Sequence, residues 1–377
     1  MSNAASDEEI ALIRASARDF ARDEVAAMRA RPFHDGDGLI DRARWTELAS
    51  LGWIGLMAPE ARGGAGLALP ALAAIAEELG PAILPEPLVC AAAFAVGIAR
   101  RGDGPAAGAL LERIAAGEAF AAVAWQEGPS DLPGAPMVTR VTGGAPAIEG
   151  RKRFVAHAAS ADGFLVAVRA EGGVEIHWIE RGTKGVDIRI DRSADGGSIG
   201  ELGFTHAPVS AATSVASAAV GAAALAGAFD DAACATAAEL LGLTRHLLAT
   251  TLEYLRTRRQ FGQPIGSFQA LQHRAVDLYV QQELGGACLA DVLREWGVDD
   301  RLLRARRASR VKVRCSDAAL AVGREAIQMH GAIGITHECD VGLLVKRAVV
   351  LAARYGTASV HRARIAAARV AATGECG

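Results

Sequence analysis

Two stretches of the chain combine residue types that suit an anion. The first runs from Tyr254 to Gln269. It sets Arg256, Arg258 and Arg259 at the end of a long amphipathic run, with Phe261 just ahead of a break at Gly262 and Pro264. A guanidinium presents a planar fork of donors that meets phosphate oxygens two at a time. Cations are also favoured at any helix C-terminus by the dipole alone. The second stretch runs from Gln328 to Glu338, where Gly331, Ala332 and Gly334 follow directly on a helical run. Glycine there lets backbone N–H groups close on an anion, and a helix C-cap would use the same glycine. Taken singly, neither stretch selects phosphate over capping.

Other chemistries find little footing. Cys90, Cys234, Cys288, Cys315, Cys339 and Cys376 form no Cys-x-x-Cys pair and stand at no zinc spacing with histidine, so no metal site is expected. Reduced thiols in a cytoplasmic protein are the natural reading. A net charge of −3 gives no support to nucleic-acid binding. Seven basic residues from Arg301 to Arg314 read as a solvated helix face, with an anion or CoA-phosphate patch as the sharper alternative. The apolar run Val215 to Phe229 is shorter than the ~20 residues a membrane helix needs. No basic region followed by an apolar core opens the chain, so no secretory leader and no membrane insertion are expected.

The elements that must position these residues follow from patterning. Hydrophobic residues make up 51% of the chain and aromatic ones only 5%, so Ala and Leu dominate and helix is favoured. Ser6 and Glu9 have capping-box spacing ahead of Ile10, Ile13, Ala17, Phe20 and Met28. Helices are expected over about 42–51, over 70–79 with Pro70 at an early position, and on to about 116. From about 120 to 209 glycine and proline become frequent and short alternating runs such as 163–168 and 174–179 read as strands of a small barrel or sandwich. Long helices return after about 218, one of them over 230–257. In another, Ala308, Val311, Cys315, Ala318, Val322, Ala326 and Met329 step by threes and fours as in a bundle. The expected architecture is therefore mainly α with a middle β-barrel. It comprises an N-terminal helical domain (1–119), a β-barrel domain (120–212) and a C-terminal four-helix bundle (213–377).

Together the two anion-suited stretches resemble the paired signatures of the acyl-CoA dehydrogenase family, Arg-x-x-Phe-Gly with a later Gln, and Gln-x-x-Gly-Gly-x-Gly. The resemblance extends over nearly the whole chain. It includes Gly52-Trp53, Pro59-Glu60 with Gly63-Gly64-Ala65-Gly66, Glu77-Glu78-Leu79-Gly80, Gly150-Arg151-Lys152 with Ala161-Asp162, and His330 through Thr336-His337-Glu338 to Arg347, His361 and Arg362. It implies FAD held between the middle domain and the bundle and reaching a neighbouring subunit. Arg258, Phe261 and Gln269 would contact the cofactor from one subunit, Gln328, Gly331 and Ala332 from another, and Thr357 would line the diphosphate. Packing within the bundle is the plainer reading of Phe261 and Gln269. The flavin loop would be Trp125 and Gln126 through Asp131. Gln126 stands where the family commonly has Thr, and Phe154-Val155-Ala156-His157 lacks the usual hydroxyl.

The same resemblance implies α,β-dehydrogenation of an acyl-CoA thioester, with an electron-transfer flavoprotein or similar acceptor and a homodimer, homotetramer or heterotetramer with a related subunit. That reaction needs a positioned carboxylate base. In much of the family it is a Glu 27 residues after the conserved Gln, and here that position is Tyr355. The other family position is Ala232, followed by Ala233 where an Arg contacts substrate. Asp230 and Asp231 are candidate substitutes, or simply acids near a helix start; Glu239 reads as packing or solvent-facing. Four functions stay open. They are an active dehydrogenase with an unconventional base, a base-lacking subunit of a heteromeric enzyme for bulky acyl-CoAs, a flavin oxidase or monooxygenase, and a structural protein without cofactor.

Overall fold

The computed structural model describes residues 6–27, 39–143, 145–297, 300–336 and 338–374, with side chains to residue 368. Met28, His337 and Cys376 lie outside the described residues. The chain divides into two compact units. One holds residues 1–7, 32–72 and 85–232, the other 8–31, 73–84 and 233–377.

Helices open the chain, as the sequence suggests: α1 Asp7–Ala27, α2 Arg42–Ser50, α3 Leu69–Leu79, a short α4 Val96–Ala99 that follows a π-helical turn at Cys90–Ala95, and α5 Ala106–Ala115. Three of these starts have a local cause. Ser6 immediately precedes α1, Pro70 sits in the first turn of α3, and Asp41 caps α2 by accepting from the Ala43 N–H at 2.8 Å. The indole of Trp45 packs 5.3 Å from Phe120 and donates to the Gly117 carbonyl at 3.0 Å. In the same unit Trp125 meets Phe94 and Phe229 edge-on, at 6.4 and 5.5 Å between ring centres.

Strands follow where glycine and proline thicken: β1 Ala121–Ala124, β2 Arg140–Thr142, β3 Ala147–Ala156, β4 Gly163–Ala170, β5 Gly173–Glu180, β6 Val186–Arg192, β7 Ser198–Pro208 and β8 Ser214–Ala216. They form one sheet in the order β6-β7-β3-β2-β4-β5-β8, with β1 beside β4. The expected barrel does not close. One end strand, β8, has only three residues and pairs with β5. The other, β6, carries Asp187, Arg189, Asp191 and Arg192 and is mostly exposed, and a charged edge resists further pairing.

The remaining helices are α6 Gly221–Thr257, α7 Gln269–Arg294, α8 Arg301–His330, α9 Asp340–Ala353 and α10 Ala358–Gly374, with a small hairpin of β9 Arg259–Gln260 and β10 Gln263–Pro264 after α6. The α6 helix starts at Gly221, earlier than its apolar period suggests, because the Ala-rich stretch before Asp230 is itself a good helix former. All seven residues of the expected α8 stripe, Ala308 to Met329, are buried. Among the described residues no helix is long and apolar enough to cross a membrane, and no group of three or more His, Cys, Asp or Glu side chains could hold a metal ion.

Close backbone approach fixes one glycine in the second unit. A Cβ on Gly242 in α6 would overlap the Glu77 carbonyl oxygen at the end of α3. Gly285 in α7 has only ordinary contacts around the same point, the nearest 3.5 Å away. Gly242→Ala is therefore expected to lower the unfolding free energy measured in urea by roughly 2 kcal/mol or more, whereas Gly285→Ala should be neutral or stabilise by up to ~1 kcal/mol through helix propensity. Equal midpoints for the two variants would contradict this packing.

Candidate functional site

The Arg-rich stretch closes α6 and turns sharply. The Arg258 N–H donates to the Tyr254 carbonyl at 2.8 Å, and β9 then pairs with β10 around Phe261 and Gly262. Both turn residues have positive φ, 53° and 82°. Two-residue hairpins of this kind favour Asn-Gly or Gly-Gly, since a bulky side chain is disfavoured in left-handed backbone. Phe261 is nonetheless there, 90% exposed, with only the edge of Phe268 beside it at 6.1 Å. Bundle packing is thus not the role of this ring. Arg258 and Gln269, the first residue of α7, are exposed as well.

The glycine-rich stretch lies beside it in the same unit. The Tyr254 ring stacks on His330 at 4.3 Å and its hydroxyl donates to the His330 carbonyl at 3.4 Å. This contact joins the two sequence motifs. Gln328, Gly331 and Ala332 are exposed, and Gly331 has φ 67° with open space where a side chain would stand. Thr357 is exposed too, and its hydroxyl accepts from the Val360 N–H at 3.5 Å at the start of α10. The basic run of α8 has partners. Arg307 pairs with Glu295, Arg310 with Asp291, Arg304 stacks on Trp296, and Lys312 is fully buried, while Arg301 and Arg306 are exposed.

Tyr355 and Gly356 form the turn between α9 and α10, and both have left-handed φ, 56° and 93°. Tyr355 is buried. Beneath it the Lys312 amine donates to the carbonyls of Ala352 at 3.0 Å and Gly356 at 3.2 Å, with the Ser316 hydroxyl 3.3 Å away. The His361 ring lies against the turn, Nε2 2.7 Å from the Tyr355 carbonyl and Nδ1 3.0 Å from the Ser309 hydroxyl. A carbonyl only accepts, so Nε2 carries the proton and Nδ1 accepts from Ser309. Burial pushes the Lys312 ammonium down to about 7, with the nearby Arg354 charge adding to it and Cys315 opposing it. Burial, reinforced by Lys312, pushes His361 down to about 3. Lys312 is not evident from sequence, and His361 enters there only as part of the family resemblance. The one available signal is that Lys312 stands four residues after Ala308 and three before Cys315, on the buried stripe itself.

No carboxylate stands open at either family base position. Ala232 and Ala233 are fully buried. Asp230 and Asp231 are not first-turn acids, because α6 begins well before them. Both are buried, and Asp231 is bridged by Arg100 at 3.0 Å and Arg101 at 2.7 Å within the first unit. Glu239 is buried, the packing alternative rather than the solvent-facing one. It accepts from the buried Arg347 guanidinium at 2.6 and 3.1 Å within the second unit.

On the sheet side the loop from Trp125 to Asp131 is braced from within. Trp125 is buried against its aromatic neighbours, and the Gln126 carboxamide donates to the Gly128 carbonyl at 2.8 Å. The Asp131 carboxylate accepts from the Glu127 and Gly128 N–H groups at 2.9 and 2.6 Å. Glu127 accepts from Lys152, from Val138 and from Thr139. Burial pushes the Glu127 carboxyl up, but the Lys152 bond and these backbone donors outweigh it and hold it at about 2. Lys152 and Glu127 also escape a sequence reading, since nothing local marks them as a pair.

The depressed Lys312 value sets a pH dependence. Between about 7 in the folded chain and 10.5 in the unfolded one, the unfolded chain binds more protons. Folding stability must then rise with pH across that window, by about 1.4 kcal/mol per pH unit from this group alone. Urea midpoints measured from pH 7 to 10 should climb more steeply in the native chain than in Lys312→Met. Parallel curves would place Lys312 in an ordinary exposed environment.

The acyl-CoA dehydrogenase N-terminal and C-terminal domain families match residues 7–118 and 220–370. The acyl-CoA dehydrogenase FadE34 of Mycobacterium tuberculosis is 30% identical over 348 residues, 89% of this chain and 44% of that protein, so the chain spans less than half of that relative. The probable acyl-CoA dehydrogenase YngJ of Bacillus subtilis is 26% identical over 373 residues, 95% of this chain and 97% of that one. The solved structure of a steroid ACAD variant, Tcur3481-Tcur3483, is similar with a TM-score of 0.86 at 26% identity, covering 97% of this chain and 99% of that chain. The chain belongs to the acyl-CoA dehydrogenase family, and its cofactor is FAD.

Proposed function

We propose that this chain forms part of the FAD site of an acyl-CoA dehydrogenase and leaves removal of the α-proton to a carboxylate on a related partner chain. The observation that carries the reading is Tyr355, buried in the turn where much of the family has its glutamate. A phenol titrates near ~10 and is a poor base at neutral pH. Ala232 offers only a methyl group at the second position. Asp231 and Glu239 are each committed to arginine.

The donor set suits FAD. Arg258 and Thr357 are exposed and fit diphosphate oxygens, Gln269 and Gln328 can hydrogen-bond polar edges, and Gly331 leaves its backbone open to close approach. Phe261 presents a bare ring to a planar group, and its strained backbone supports a binding role over packing. Trp125 anchors its loop from inside, and Gln126 keeps its carbonyl oxygen available there. When bound, FAD accepts the hydride released from the substrate β-carbon. The thioester oxygen gains charge in that step and requires donors fixed in advance. We take the substrate to be a bulky acyl-CoA, a choice supported by the likeness to the steroid ACAD, and the electron acceptor to be an electron-transfer flavoprotein.

A second reading has one observation in its favour. Asp230 is buried in α6 two residues ahead of Ala232, on the helix that carries the second family base position. The single chain would then be active with Asp230 as base.

Visible spectra separate the readings. Arg258→Ala should retain roughly tenfold less flavin than the native chain, the scale set by one charge-assisted hydrogen bond. An unchanged flavin content removes the proposed diphosphate contact. Under anaerobic conditions a panel of acyl-CoAs should leave the native flavin oxidised, and Tyr355→Glu should allow bleaching. Bleaching of the native chain that Asp230→Asn abolishes establishes the second reading instead. Flavin that is reduced and then reoxidised rapidly by oxygen would mark an oxidase.

A further inference from the structure

We propose that Lys312 and His361 are positioning residues that hold Tyr355 in its left-handed backbone conformation, so that the family's base position keeps its shape without its carboxylate. The inference rests on reading the Tyr355 turn as that position.

The turn is costly by itself. Gly356 adopts φ 93° freely, but Tyr355 at φ 56° is a bulky residue in a region that L side chains rarely enter. Such a residue persists only where its surroundings over-determine it. Here the surroundings are two buried bases and three backbone carbonyls. Lys312, from α8, spans the last turn of α9 through Ala352 and the turn itself through Gly356. His361, from α10, donates to Tyr355 and is oriented by Ser309 of α8. A Cβ on Gly356 would lie 3.0 Å from His361 Nε2, so the ring presses directly on the turn.

The chemistry of Lys312 argues against simple filling. Its bonded partners are a hydroxyl and two carbonyls, and no carboxylate is among them. A methionine would occupy a similar volume with no desolvation cost, whereas an unpaired buried amine is penalised by burial. What the amine supplies and a methionine lacks is donors to the carbonyls that the turn leaves facing inward. Those carbonyls would otherwise be buried without partners, a cost the fold avoids.

The test isolates backbone conformation from general stability. The chain has three tyrosines, Tyr254, Tyr279 and Tyr355, so carbon-13 labelling of tyrosine gives three assignable Cα signals. In the FAD-loaded native chain the Tyr355 Cα shift should be that of left-handed backbone. In Lys312→Met it should move toward the extended or right-handed range while Tyr254 and Tyr279 stay in place. A four-variant cycle adds a second measurement. Lys312→Met should lower the urea midpoint by at least twice as much in the native background as beside Tyr355→Gly, because glycine enters the left-handed region unaided. If Lys312→Met does not fold, Ser309→Ala, which removes only the hydroxyl orienting His361, is measured the same way. An unmoved Tyr355 signal in the folded variant, or equal losses in the two backgrounds, overturns the proposal. Neither readout involves turnover, so a failure of Tyr355→Glu to bleach would count against the base-position reading, while the Tyr355 shift and the variant cycle test the bracing of the turn by itself.

Discussion

Backbone carbonyls that point inward at a left-handed turn must find donors, and at Tyr355 and Gly356 the donors are side chains from two other helices. Lys312 and His361 reach the turn from α8 and α10, and Lys312 also takes the Ala352 carbonyl at the end of α9. One buried network thereby fixes how three helices of the second unit meet. The position of Thr357 and the start of α10 follow from it directly. The same helix α8 carries Gln328 and ends at His330, which stacks on Tyr254 and brings the Arg258 hairpin alongside. The exposed donor set on this unit is thus supported from one buried spine.

The chain buries two lysines completely and resolves the cost in opposite ways. Lys152 has a carboxylate partner, Glu127, and the pair is charged: the ammonium and two further donors, from Val138 and Thr139, hold Glu127 at about 2. Lys312 has only neutral acceptors and is pushed down to about 7. The first arrangement braces a loop by Coulomb attraction and hydrogen bonding together. The second can donate to carbonyls without a counter-charge because it sits at the border of ionisation. Both brace segments whose outward residues are the candidate cofactor contacts, and a rigid support behind a binding residue reduces the ordering cost of binding.

Much of this was legible in the sequence because it is periodic. The α8 stripe from Ala308 to Met329 gave its buried face directly, and the Gly-rich and Arg-rich motifs gave the two segments that Tyr254 and His330 bring together. What was not legible depends on pairings distant in sequence. The runs 163–168 and 174–179 show the strands β4 and β5, but whether the sheet closes depends on its end strands meeting, and the short β8 and charged β6 do not. Asp230 and Asp231 read as acids at a helix start only while the helix is taken to begin there; the Ala-rich run carries it back to Gly221. Lys312 reads as solvated because lysine usually is. Its burial follows from α9 and α10 folding over it, which no local pattern encodes.

The account turns on a flavin scaffold that lacks its own α-proton base. Proton exchange at the substrate's α-carbon measures this without requiring turnover. The FAD-loaded chain, alone in deuterium oxide with a saturated acyl-CoA whose β-carbon is replaced by sulfur, is followed by NMR. The α-protons should exchange no faster than in buffer, and exchange should appear when Tyr355→Glu replaces the native chain. Rapid α-exchange by the native chain alone would contradict the account, and its loss in Asp230→Asn would assign the base to Asp230.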